Sequence, residues 1–323
     1  MKDKKQNKRI NGGHRLLFFC ILCLFGLYVA VSYAEEQPQR EQSKTKVILL
    51  HTDNLTYDQY RHPGAQILTG NVQFQHDGVL MYCDSACFYE ATNSFDAFGH
   101  VKMVQGDTLD LVGDMLLYNG LDQLTRVRHN VVLTHRESKL YTDSLDYDRL
   151  YELGYFFEGG KLVDKDNVLT SDWGQYSPPT RQAVFNYNVK LENPKFTLIS
   201  DTLNYNTLTS MAEIVGPSNI DSGDNHIYSE SGFYNTQTEE AILLDRSIVT
   251  NKGRKMVGDS LYYDSKSGVG EGFRNVVYTD EVNKNMLTGN YCYYNDSTGY
   301  SMATDSAVAI DLSLIHISEP TRP

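Results

Sequence analysis

Carboxylates recur along this chain at a nearly constant interval, and a carboxylate can serve as general acid or base, nucleophile or metal ligand. Taking Asp259 in Gly258-Asp259-Ser260-Leu261-Tyr262-Tyr263-Asp264 as position 0, equivalents fall at Asp53, Asp84, Asp114, Asp143, Asp172, Asp201, Glu230 and Asn290. The steps are 31, 30, 29, 29, 29, 29, 29 and 31 residues, so nine units cover most of the chain. Acid–base catalysis needs one or two carboxylates in distinct environments. Near-equivalent copies, with Glu230 and Asn290 standing in for Asp, suit a backbone corner instead, so no enzyme and no cofactor is expected. A calcium roll would carry Gly-Gly-x-Gly-x-Asp, which is missing. Zinc would need a second Cys/His pair at ligand spacing. The histidines are scattered and are expected on strand surfaces or in turns.

The columns around position 0 describe the elements that carry it. Position +4 is aromatic in every unit: Tyr57, Phe88, Tyr118, Tyr147, Tyr176, Tyr205, Tyr234, Tyr263 and Tyr294. Position −3 is aliphatic or Met in every unit, for example Met81, Leu111, Leu140, Leu198 and Met256, and +2 is mostly Leu. Side chains alternate faces along a strand, so +2 and +4 point one way and −3 the other. Both sets must reach one core, so each strand has to bend near position 0. Asp or Asn at +5, followed by Thr or Ser, reads as the opening of a turn. A second anchor, Gly or Asn before Val or Ile, recurs as Gly70-Asn71-Val72, Gly99-His100-Val101, Asn188-Val189 and Asn275-Val276. Turns such as His76-Asp77-Gly78 and Asn251-Lys252-Gly253 follow it, so each unit is a hairpin. The expectation is an all-β chain of repeated antiparallel hairpins, about 16–18 strands, creased into an elongated open β-jellyroll, or taco.

The ends read differently. Basic residues from Lys2 to Arg15, an apolar run from Leu16 to Val31 and then Ser32-Tyr33-Ala34 are the order of a secretory signal peptide over residues 1–34. An uncleaved anchor is the rival reading. Residues 35–46 read as a linker and 47–311 as the repeat region. Residues 312–323 break the pattern and resemble the in-frame translation of a sequencing-library adapter, so the native sequence is expected to continue differently after Asp311. The segment 1–34 holds six Lys/Arg and one acid, so its loss takes the net charge from −12 to −17. Such an acidic chain is unsuited to nucleic acid or an anionic membrane surface. Of the cysteines outside that segment, Cys83 and Cys87 would lie about 13 Å apart on one strand, beyond disulfide reach.

The stretches His51-Thr52-Asp53-Asn54-Leu55-Thr56-Tyr57-Asp58, Ile67 to Phe74 and Val104 to Asn119 resemble the OstA-like family, relatives of the lipopolysaccharide-transport protein LptA and the periplasmic part of LptD. The resemblance spans roughly residues 47–311, with more units and more tyrosine than short members of that family. It implies a periplasmic protein, free or associated with the outer membrane, whose interior holds the acyl chains of lipopolysaccharide. It also implies open sheet edges that stack on copies of itself or on other β-jellyroll transport proteins, with no nucleic-acid partner. The lipid-contacting candidates are then Val72, Phe74, Leu116, Tyr118, Leu145, Tyr147, Leu203, Tyr205, Leu261 and Tyr263. The alternative is a secreted structural or adhesive β-repeat with a closed core and no lipid.

Overall fold

Two strand lengths alternate along the chain. Ser94–Gln105 and Gln182–Asn193 have 12 residues, whereas Leu109–Asn119 and Phe196–Asn206 have 11. A turn of two residues at 194–195 and one of four at 207–210 complete the 29-residue period. The computed structural model describes residues 45–314; the expected signal peptide, most of the linker and most of the adapter-like tail lie outside the described residues. Within 45–314 there is no α-helix, and consecutive passes pair antiparallel as a meander.

The extra residue of the longer strands sits in a bulge. Phe98 pairs with Met115 and Val101 with Gly113, leaving Gly99-His100 opposite Asp114 alone. The same two-against-one step puts Tyr187-Asn188 opposite Asp201 and Asp245-Arg246 opposite Asp259. Both bulge residues adopt positive φ, as at His129 (61°) with Asn130 (53°) and Arg274 (62°) with Asn275 (49°). That region costs a residue with a Cβ about 1–2 kcal/mol, and Asn tolerates it best.

The recurrent carboxylate offsets this cost. Asp114 Oδ2 accepts from Asn130 Nδ2 at 2.6 Å, and Asp172 and Asp259 accept from Asn188 and Asn275 at 2.7 Å. Asp84 holds His100 Nδ1 at 2.7 Å in the same way. A Cβ at Gly70 or Gly99 would collide with the carboxylates of Asp53 and Asp84, so glycine is required where the acid leans on the backbone. Before the acid, hydroxyls at −1 clamp the bend: Ser171, Ser200 and Ser229 donate to the carbonyls of Trp173, Thr202 and Ser231 at 2.7–2.8 Å. Position 0 is therefore the outer corner of each pass.

The inward face switches parity at this corner. In Leu109–Asn119 the buried residues are Leu109, Leu111 and Gly113, then Leu116 and Tyr118, with Asp114 and Met115 between them unburied. The +5 residues open turns as expected: Asn119, Asp148, Asn206 and Asp264 each accept backbone N–H groups two and three residues on. Four passes are divided near the corner into short strands: Ile48–His51 with Asn54–Tyr57, Leu153–Phe156 with Gly160–Asp164, Asn167–Ser171 with Trp173–Ser177, and Tyr300–Thr304 with Val308–Asp311. The sheet thus has 22 strands but 18 passes, which reconciles it with the expected 16–18.

Creasing every pass at one place folds a single sheet into two facing walls, one carrying the −3 column and the other the +2 and +4 columns. Rings meet across the interior: Phe74 stacks on Phe95 with centroids 4.2 Å apart, Phe196 meets Tyr234 at 4.8 Å and Tyr278 meets Tyr294 at 5.2 Å. The result is an all-β, open-edged jellyroll. Among the described residues its first pass pairs only with Gln66–His76 and its last only with Asn285–Asn295. Cys83, Cys87 and Cys292 are buried free thiols, and burial pushes Cys83 up to about 12.

Candidate functional site

The crease brings the candidate residues together. Val72, Phe74, Leu116, Tyr118, Leu145, Tyr147, Leu203, Tyr205, Leu261 and Tyr263 all point between the walls, none more than 2% exposed. They share one core with Met81, Leu111, Leu140, Leu198 and Met256 of the −3 column, whose wall also carries Val72 and Phe74 and faces the other eight. Their own side chains fill the space. A cavity beside Met256, Tyr263, Gly270 and Tyr278 measures about 20 Å³, room for one water. At the first edge, where no pass among the described residues covers them, Leu55 and Tyr57 of the same columns are 52% and 57% exposed.

Opposite the corner the two walls end in two rows of turns, which face each other across a mouth. One row includes turns such as 76–79, 135–138 and 164–167; the other includes 119–124, 148–153 and 207–210. The +4 tyrosines close this mouth from inside. Tyr118 Oη shares a 2.6 Å hydrogen bond with His76 Nδ1, and Tyr176 a 2.8 Å bond with His135 Nδ1. Tyr205 donates to Asp164 Oδ2 at 2.8 Å and accepts from Asn167 Nδ2 at 2.9 Å. Tyr263 donates to Asn225 Oδ1 at 2.6 Å, and Tyr294 accepts from Arg254 Nη1 at 2.8 Å. Each pair joins residues 38 to 42 positions apart. Each tyrosine ring thus packs the interior while its hydroxyl latches the far row of turns.

Outer contacts reinforce the latches. Gln105 donates to Glu152 at 2.6 Å, Gln123 to Asp77 at 3.2 Å, Lys195 pairs with Glu239 at 2.7 Å and Arg254 with Asp296 at 2.6 Å. Arg149, itself buried, donates to Tyr118 Oη and to the His76 carbonyl. Ahead of the first strand, Thr45 donates to Asp77 at 2.6 Å while the Val47 N–H donates to Asn93 Oδ1 at 2.7 Å, tying one row of turns to the other. Burial pushes the Tyr118 hydroxyl up to about 12, so it stays protonated and able to donate.

Sequence reasoning found the tyrosines and missed their partners. His76 and His135 are buried, contrary to the expectation of surface or turn histidines, because they end strands at the mouth and carry a tyrosine hydroxyl. The separation of 38 to 42 residues is the one signal that links the two sets. Burial holds both imidazoles below their ordinary pKa; Arg149 adds to this at His76, where Asp77 opposes it, and Arg136 and Arg181 add to it at His135. The unfolded chain takes up these protons near pH 6.5, and the folded chain only lower. Unfolding therefore binds protons in that window, and stability falls as the pH drops through it. The melting temperature is expected to decline on acidification from about pH 7.5 to 5.5, and to decline less in the His76→Gln/His135→Gln variant. Equal slopes in a calorimetric scan would contradict these roles.

Over residues 44–201 and 197–259 the sequence matches the OstA-like protein family. The chain belongs to that family. No curated protein matches this OstA-like chain. Among solved structures it is similar to LptH, the LptA homologous periplasmic component of the conserved lipopolysaccharide transport device from Pseudomonas aeruginosa. That likeness is 16% identity over 33% of the OstA-like chain and 82% of LptH, with a TM-score of 0.32.

Proposed function

We propose that the protein is a periplasmic carrier of lipopolysaccharide, which takes acyl chains between its walls and contributes to a bridge toward the outer membrane. The observation that carries this reading is the apolar interior, which runs through successive units and ends, among the described residues, at passes paired on one side only, with Leu55 and Tyr57 exposed at the first. Membership of the OstA-like family supports it, as does the secretory pattern of residues 1–34. The candidate lipid contacts are the ten inward residues from Val72 to Tyr263. The open edges offer backbone groups to a copy of this chain or to another β-jellyroll.

The energy scale permits entry into a filled interior. Burying about twelve methylenes at ~0.8 kcal/mol each yields ~10 kcal/mol gross. Opening the mouth breaks hydrogen bonds worth about 1 kcal/mol each, so one chain outweighs the five tyrosine latches. The acyl chain then takes over contacts that the walls lose. A second reading, a structural repeat with a closed core and no cargo, is favoured by the packing, since the ten inward residues are no more than 2% exposed.

Lipopolysaccharide added to the purified protein separates the two. A carrier should show a melting temperature that rises with ligand concentration, because a ligand of the folded state stabilises it by mass action. An unchanged melting temperature at saturating lipid would favour the closed core.

A further inference from the structure

Two of the inward tyrosines are built differently from the rest. Tyr147 and Tyr234 are fully buried, yet neither hydroxyl reaches the far row of turns: that of Tyr147 has no hydrogen-bond partner, and that of Tyr234 has beside it the Ser265 hydroxyl, itself buried and otherwise unpaired. The residues that would latch them bond elsewhere: Gln105, 42 positions before Tyr147, donates its amide N–H to Glu152 and leaves its buried Oε1 unpaired, and Asn193, 41 positions before Tyr234, donates to Asn167. An unpaired buried hydroxyl is destabilising, and the column accepts phenylalanine, as Phe88 shows. Packing alone therefore gives no reason for oxygen at Tyr147, and at Tyr234 only a second hydroxyl, that of Ser265, meets it.

The mouth over them is held from outside. Gln105 with Glu152 spans it at Tyr147, and Lys195 with Glu239 spans it at Tyr234. Lys195 is 61% exposed, and ion pairs with an exposed partner contribute little. The two positions lie three units, or six passes, apart, which is about 29 Å across the sheet. The latched Tyr176 and Tyr205 stand between them.

We infer that the mouth is the entry for cargo and that Tyr147 and Tyr234 are its two docking points. Each presents an O–H to an acceptor oxygen, carbonyl or phosphate, at the head of an acyl chain lying between the walls. The latched tyrosines hold the mouth shut on either side and set how readily it opens. This inference rests on the carrier reading and adds to it the class of atom recognised and the residues that recognise it.

Fluorescently labelled lipopolysaccharide is the probe, with Tyr147→Phe/Tyr234→Phe compared with Tyr118→Phe/Tyr205→Phe. The first variant should melt at or above the wild-type temperature and bind about 30-fold more weakly, the loss of its two cargo hydrogen bonds. The second should melt lower and take up the probe faster. Wild-type affinity in Tyr147→Phe/Tyr234→Phe, with the wild type binding the probe, overturns the docking points and leaves the carrier reading standing. No binding by the wild type overturns both.

Discussion

Replacing Tyr205 with alanine is expected to destabilise the protein by about 5 kcal/mol, among the largest effects of any single interior change. The ring is fully buried, so its loss removes transfer energy and leaves a cavity between walls that touch, a cost of about 3–5 kcal/mol for an aromatic residue. The hydroxyl adds a second cost. Asp164, 2% exposed, loses the O–H that satisfies Oδ2 and keeps only Ser138 on Oδ1, while Asn167 loses an acceptor. A buried carboxylate oxygen left unpaired costs about 1–3 kcal/mol or more. Tyr205→Phe should keep the packing and lose only that second part. Urea unfolding of the two variants separates the contributions, and a loss below about 2 kcal/mol for Tyr205→Ala would mean that the walls relax around the gap.

The second large effect is expected at the first edge. Leu55 and Tyr57 occupy the columns that are buried elsewhere, and they are exposed because no pass among the described residues pairs on their outer side. A partner strand laid along Asn54–Tyr57 and Ile48–His51 would pair their free backbone groups and bury both side chains, about 1.5–3 kcal/mol for each. Leu55→Arg with Tyr57→Glu should weaken end-to-end association about 100-fold or more, read by sedimentation across a concentration series. The fold should survive, since both positions already face solvent. Association unaffected by the double variant would place any stacking surface elsewhere.

Much of this architecture was legible because it is local. The change of parity between −3 and +2 demanded a bend at Asp259 and its equivalents, and the bend lies there, with Asn275 bonded to the carboxylate 16 residues away. The Asp and Gly/Asn columns were both visible, but their pairing across neighbouring strands was not. A fixed offset of 16, as from Asp114 to Asn130 or Asp172 to Asn188, would have linked them. The latches were less legible still. Tyr118 reaches His76 over 42 residues and Arg149 over 31, contacts that exist only once the sheet has folded onto itself. Polar residues at the mouth, His76 among them, therefore read as ordinary turn residues. How tightly the interior is packed was equally hidden, because the same Leu and Tyr columns describe a filled core and an accessible one.

The carrier account is tested most directly by a photoreactive amino acid placed at Leu145, which faces the interior, and separately at Asp146, the next residue and on the outer face. With lipopolysaccharide present, the account predicts a crosslinked adduct from position 145 and none from 146. Equal yields at the two positions, or no adduct at either, would contradict it.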